Sequence, residues 1–139
     1  MSISANADRQ QNSPVPPTEL PEKDRPPSRL DKVLLADLYG GDWPFIQEQY
    51  AYFQEEWPVY RQEMTTSLTN GQSIIFGQQV HKFSSSLFAL GITRTADRLK
   101  LLSERFDQLT AIERSVRWAD LVQEVEEAIS EMVLEQQPG

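Results

Sequence analysis

From Leu30 onward the apolar residues fall at steps of three and four, the rhythm of helices with one buried face. Leu30 to Tyr39 reads as a short helix, apolar at Leu30, Val33, Leu34, Leu35 and Leu38 and stopped by Gly40-Gly41. Asp42 is placed to cap a second helix, with Pro44 tolerated in its first turn and Phe45, Ile46, Gln49, Tyr50 and Phe53 on its inner face. Pro58 has no amide to donate, so the ladder is expected to break or kink near Glu55. A further helical run continues through Val59, Tyr60, Met64 and Leu68 and ends at Asn70-Gly71. Ser73 is the expected cap of the next helix, which carries Phe76, Val80, Phe83, Leu87 and Leu90 as one stripe and stops at Gly91. Thr93 or Thr95 opens another, with Ala96, Leu99, Leu102, Phe106 and Leu109 inward. Thr110 to Arg114 is the expected connector. The last helix runs from about Ser115 to Leu134. It places Trp118, Leu121, Val122, Val125, Ile129 and Val133 inside and Glu124, Glu127 and Glu131 on its wet side.

No segment alternates apolar and polar residues with period two, and hairpin signals are absent. The pattern predicts an all-α protein: an antiparallel up-down four-helix bundle, with a short extra N-terminal helix lying across one end. Residues 1–29 hold six of the nine prolines, and their only large aliphatic side chains are Ile3, Val15 and Leu20. Their charges cancel. Such a stretch buries too little apolar surface to offset ordering entropy, so it is expected to be a disordered tail, a tether in preference to a Pro-rich ligand. Residues 30–135 form the expected bundle, and 136–139 are expected to fray.

Composition narrows the function classes. The net charge of -8 argues against nucleic acid as a partner, because duplex binding needs Lys and Arg on phosphates. The absence of cysteine excludes thiol chemistry. No basic-then-apolar leader and no bilayer-length apolar run is present, so a soluble, cytoplasmic protein with no membrane partner is expected, and nothing demands more than a monomer. Trp43, Trp57 and Trp118 read as packing residues, and no spacing suggests a metal site.

The chain has one histidine, His81. It lies one position off the Phe76–Leu90 stripe, about 100° around the helix. Its neighbours one turn away, Gly77, Gln78, Ser84 and Ser85, are small or polar. The imidazole is therefore expected on low, open ground, where another macromolecule can reach it. Between Val80 and Arg105, Lys82, Arg94, Arg98, Lys100 and Arg105 face only Asp97 and Glu104. That run is either a solvated helix face or a positive collar suited to an acidic partner site. Phe88, seven residues after His81, is either a docking contact or end packing.

The segment around His81 resembles the phosphoacceptor motif of histidine phosphotransfer (HPt) domains. Phe83, Ser86, Leu90 and Gly91 stand at matching places after the histidine. Gly40-Gly41-Asp42, Phe45, Ile46, Phe53, Pro58, Leu68 and Gly71 fit the order of elements upstream. The likeness covers Leu30 to Val133. Two positions depart: Ser84 stands where lysine is usual, and Ser85 where glycine is usual. The resemblance implies a phosphorelay carrier. His81 would take a phosphoryl group from a receiver-domain aspartate through the ring nitrogen farther from the backbone and pass it to another receiver. Gln78, Lys82, Ser84, Ser85 and Phe88 would surround the phosphoryl site and form the docking face. The implied partners are response-regulator receiver domains and a hybrid histidine kinase. No cofactor of its own is implied, Mg²⁺ being carried by the receiver. The usual lysine's role does not pass to Ser84, leaving Lys82, or Arg98 or Arg105 from the next helix, as the cations open to it. Gly40-Gly41 is a helix stop, so autokinase activity is not expected. The alternatives are an HPt-like module that docks a receiver or kinase without carrying phosphate, and a helical scaffold unrelated to signalling, which a buried His81 would favour.

Overall fold

A computed structural model describes residues 29–136, and the segments expected to form the tail and the frayed end lie almost wholly outside them. The described residues form α1 (Lys32–Tyr39), α2 (Trp43–Thr69), α3 (Ser73–Ala89), α4 (Thr93–Glu104), a single 3₁₀ turn (Phe106–Gln108) and α5 (Ala111–Gln136), with no strand among them.

Local chemistry sets most boundaries. Asp31, one residue into the expected first helix, is its N-cap and accepts from the Leu34 amide at 3.0 Å. Asp42 does the same for Phe45 at 3.2 Å. Ser73 does not cap α3: it is already helical, and Gln72 precedes it without a side-chain bond. Thr110 and Glu113 form a reciprocal capping box, with Glu113 N–H to Thr110 Oγ1 at 3.1 Å and Thr110 N–H to Glu113 Oε1 at 2.9 Å. That box starts α5 at Ala111 and converts the expected connector into helix. The α4 stripe is interrupted after Glu104, so Phe106 reaches the core from the 3₁₀ turn.

The expected break before Pro58 does not occur, and α2 runs unbroken for 27 residues. Pro58 is on the exposed side, where solvent tolerates a missing backbone bond. Buried Phe53, Trp57 and Met64 on the other side hold the helical path.

Each of α2 to α5 packs on two neighbours, in the closed order α2–α3–α4–α5–α2. Tyr50, Met64, Phe76, Phe83, Leu87, Ile92, Leu99 and Met132 fill the space between them. Phe45 and Val133, expected inside, are largely exposed, and Phe45 instead lies 5.4 Å from the Tyr39 ring. Glu124, expected on the wet face of α5, is only 5% exposed. It accepts from Thr95 Oγ1 at 2.8 Å and pairs with Arg98 and Arg29. Arg29 also bonds Glu127 at 2.9 Å, so the chain enters the fold pinned to α5.

The short α1 covers the α3–α4 corner. The Asp31 amide donates to the Gly91 carbonyl at 2.8 Å, and Tyr39 Oη donates to the Ala89 carbonyl at 2.7 Å. Gly91 adopts φ +76°, and a Cβ there would meet the Asp31 carbonyl oxygen at 2.9 Å. Gly71, at φ +68°, has open space around it. Gly71→Ala should therefore cost only the left-handed backbone term, about 1–2 kcal/mol. Gly91→Ala adds overpacking against α1 and should cost about 3 kcal/mol or more. Urea denaturation of the two variants measures the difference.

Candidate functional site

Four α3 residues fix the orientation of His81. Phe76, Val80, Phe83 and Leu87 are buried, which leaves the His81 side chain exposed. Among the described residues its ring makes no hydrogen bond, ion pair or ring contact. Ser85 Oγ turns back and donates to the His81 carbonyl at 3.2 Å, a local bond that keeps this side chain low against the helix. Gln78, Lys82 and Ser85 are exposed around the imidazole.

Ser84 is a correction. It was expected beside the phosphoryl site on the open face, but it is 2% exposed, and its Oγ has no hydrogen-bond partner among the described residues. Gly77, Ser84 and Phe88 lie along the side of α3 that meets α4. A Cβ on Gly77 would stand 3.4 Å from Ser103 Oγ, and Lys100 Nζ lies 4.7 Å from the centre of the Phe88 ring. Small residues at 77 and 84 let α4 approach closely. Phe88 is half-buried against the core, so it combines end packing with one partly accessible face.

The basic residues do not form one collar. Arg98 pairs with Glu124, and both Arg98 and Arg105 line a hollow between α4 and α5, directed away from the His81 side. Neither supplies a cation beside His81. His81 lies between Gly77, opposite Ser103, and Phe88, opposite Lys100, so Lys100 is the α4 cation that the register brings to its side. On the other flank, Lys82 adjoins Tyr52, Glu55, Glu56, Val59, Tyr60 and Glu63 of α2. A hydrogen bond to Glu56 holds the Tyr52 phenol above its ordinary pKa. The imidazole thus stands between an acidic, tyrosine-bearing α2 flank and a lysine on α4. The sequence reading placed Lys100 in the basic run without singling it out from Arg98 and Arg105, and it missed the α2 flank because it followed only the inner stripes. The recurrence of Tyr52, Glu56, Val59 and Glu63 at three and four residues was the available signal.

No group of three or more His, Cys, Asp or Glu side chains that could hold a metal ion occurs among the described residues. No described helix is long and apolar enough to cross a membrane. Comparison with protein-family models, with curated proteins and with solved structures finds no match.

Two measurements test this geometry. With a single histidine in the chain, carbethoxylation at 240 nm reads one group. The native protein should react nearly as fast as the urea-unfolded chain, whereas protection of the native imidazole would contradict an open ring. Ser84→Lys should destabilise the fold by about 2 kcal/mol or more, because it forces a cation into the α3–α4 seam. A thermal melt reads that loss.

Proposed function

We propose that this protein is an HPt-type phosphoryl carrier with His81 as its acceptor. The reading rests on one observation: an exposed, unengaged imidazole stands on a helix whose opposite side is locked into the core. The matched positions Phe83, Ser86, Leu90 and Gly91 support it. In the same reading, the ring of α2, α3, α4 and α5 is an antiparallel up-down four-helix bundle, with α1 as the additional N-terminal helix. The carrier is a cytoplasmic monomer.

The chemistry asks little of the carrier. The lone pair of the far ring nitrogen, Nε2, attacks the phosphorus of a receiver's aspartyl phosphate in line. A P–N bond forms as the bond from phosphorus to the carboxylate oxygen breaks, and the aspartate leaves as carboxylate. The proton on Nδ1 stays in place, and return transfer to a second receiver reverses the step. The receiver contributes Mg²⁺ and the groups that hold the equatorial oxygens. This chain contributes the nucleophile, Gln78, Lys82 and Ser85 around it, and an accessible edge of Phe88 with Lys100 above it.

The burial of Ser84 favours a second reading, an HPt-like module that docks a receiver or kinase without carrying phosphate. At that position no side chain reaches the phosphoryl oxygens, and Lys82 and Lys100 flank the site without occupying it.

Incubation with a ³²P-phosphorylated receiver separates the two. A carrier gives acid-labile, alkali-stable label on the wild-type chain, and His81→Gln abolishes it. Label retained by the variant sinks the carrier reading. Receiver binding that survives in the variant, with no label on either protein, selects the docking module.

A further inference from the structure

A trough runs along the outer side of α2 and α3, from the turn between them up to Tyr52. Its lower part is an open hollow of about 600 Å³, with Val59, Glu63 and Thr66 of α2 on one wall and Ile75 and Gln79 of α3 on the other. Its upper part, about 410 Å³, shares Val59 and Glu63 and continues past Glu55, Glu56 and Tyr52 to Lys82 of α3. Both volumes fall in the range of binding clefts. Ser67 Oγ donates to Gln79 Oε1, a bond that ties the two helices together beneath the trough. Val59, Ile74 and Ile75 are 57%, 77% and 43% exposed along it. They are neighbours: Val59 and Ile75 line the lower hollow, and Ile74 and Ile75 line the next one, at the α2–α3 turn. These β-branched side chains fill no core and are weak helix formers, so neither packing nor propensity accounts for three of them together on a wet helix face.

Charge selects the occupant. On α5 the exposed carboxylates are compensated: Glu126 by Arg61, Glu127 by Arg29 and Glu135 by Lys32. In the trough, Glu55 and Glu63 form no ion pair among the described residues, and Glu56 is engaged only by the Tyr52 phenol. Among the described residues Lys82 is the one cation lining the trough, against three carboxylates. Aliphatic contact beside uncompensated negative charge calls for a partner with cations next to apolar side chains. It repels an acidic partner, a second copy of this chain at net charge -8 included. From Tyr52 to Thr66 is about 21 Å along α2, the length of a helix of about 14 residues. A groove between two packed helices receives a third through anchors spaced three and four residues apart. We propose that the trough docks a basic amphipathic helix of another protein, its aliphatic face on Val59 and Ile75 and its arginines or lysines on Glu55, Glu56 and Glu63. Of the residues that surround His81 in the proposed transfer it shares only Lys82, and it does not depend on the carrier reading.

Methyl NMR spectra of the full chain test this directly. The probe is a synthetic helical peptide of about four turns, with leucines along one face and arginines beside them. Its counterpart carries glutamate in place of each arginine. The arginine peptide should shift the methyl signals of Val59, Ile74 and Ile75. It should leave Ile112 and Val116, comparably exposed on α5, where they are. The glutamate peptide should shift none of them. Glu55→Lys/Glu63→Lys, at two exposed positions, should weaken binding about tenfold or more without lowering the melting temperature, and Ile75→Ala should weaken it as well. His81→Gln should leave the affinity unchanged. Failure of the arginine peptide to bind, equal binding of the two peptides, or equal shifts on α5 overturns the proposal. So does full affinity in the charge-reversed variant, or loss of affinity in His81→Gln, which would move the peptide to the imidazole face. Shifts of Val59 and Ile75 that grow with the concentration of the protein alone would assign the trough to a second copy instead.

Discussion

Phe83 aims the imidazole. Its ring lies 4.7 Å from Tyr60, 5.5 Å from Trp57 and 5.7 Å from Phe53, all on α2. Burial of one such side chain contributes about 1.5–3 kcal/mol, and each well-placed aromatic pair adds roughly 0.5–1.5 kcal/mol. No other α3 residue has as many ring partners among the described contacts. His81 is two residues earlier, about 200° around the helix. Whatever fixes Phe83 inward therefore fixes His81 outward, and rotation of α3 that hid the imidazole would pull Phe83 out of the α2 aromatic cluster. The exposure of the histidine follows from packing on the opposite side of its own helix.

The second side of that helix is set by absence of bulk. Gly77 and Ser84 bring α4 close enough for Ser103 to approach the Gly77 backbone, and the corner that joins the two helices is closed by Gly91 against Asp31. Without that corner α4 could not return along α3, and Lys100 could not reach Phe88. Ser84 thus serves the fold in a position where the resemblance to HPt domains would have put chemistry. A lysine there needs a wider seam than this chain provides.

Much of the fold was legible because it is governed by local rules. The Phe76–Leu87 stripe, the Gly40-Gly41, Asn70-Gly71 and Gly91 stops, and the Asp42 cap each depend on residues within one or two turns. The failures share a different cause. Pro58 violates a local rule, yet buried Trp57 and Met64 hold the helix through it. Glu124 looked like surface because its neighbours in sequence are polar; its partners Thr95, Arg98 and Arg29 come from α4 and the entry segment. Ser84 is small enough to read as either surface or seam, and only the position of α4 decides. For the site, the exposure of His81 was readable from periodicity, whereas the acidic α2 flank and Lys100 required knowing which helices adjoin α3.

The charge layout explains how a strongly acidic chain keeps cations available. Glu124 is buried and would be costly without compensation, and it takes two guanidiniums, Arg29 and Arg98, together with the Thr95 hydroxyl. Glu127 shares Arg29, Glu135 takes Lys32, and Glu126 takes Arg61. These pairs neutralise α5 along the side that faces the entry segment and α2. Glu55, Glu56 and Glu63, clustered on the α2 flank, form no ion pair within the described residues. An anionic group approaching His81 across α2 would meet those carboxylates with Lys82 among them, whereas approach over the α3–α4 seam passes Lys100, which has Asp97 and Glu104 one turn to either side. The fold therefore puts one lysine on each flank of the imidazole, and the place of Lys100 is set by the same close α3–α4 packing that buries Ser84.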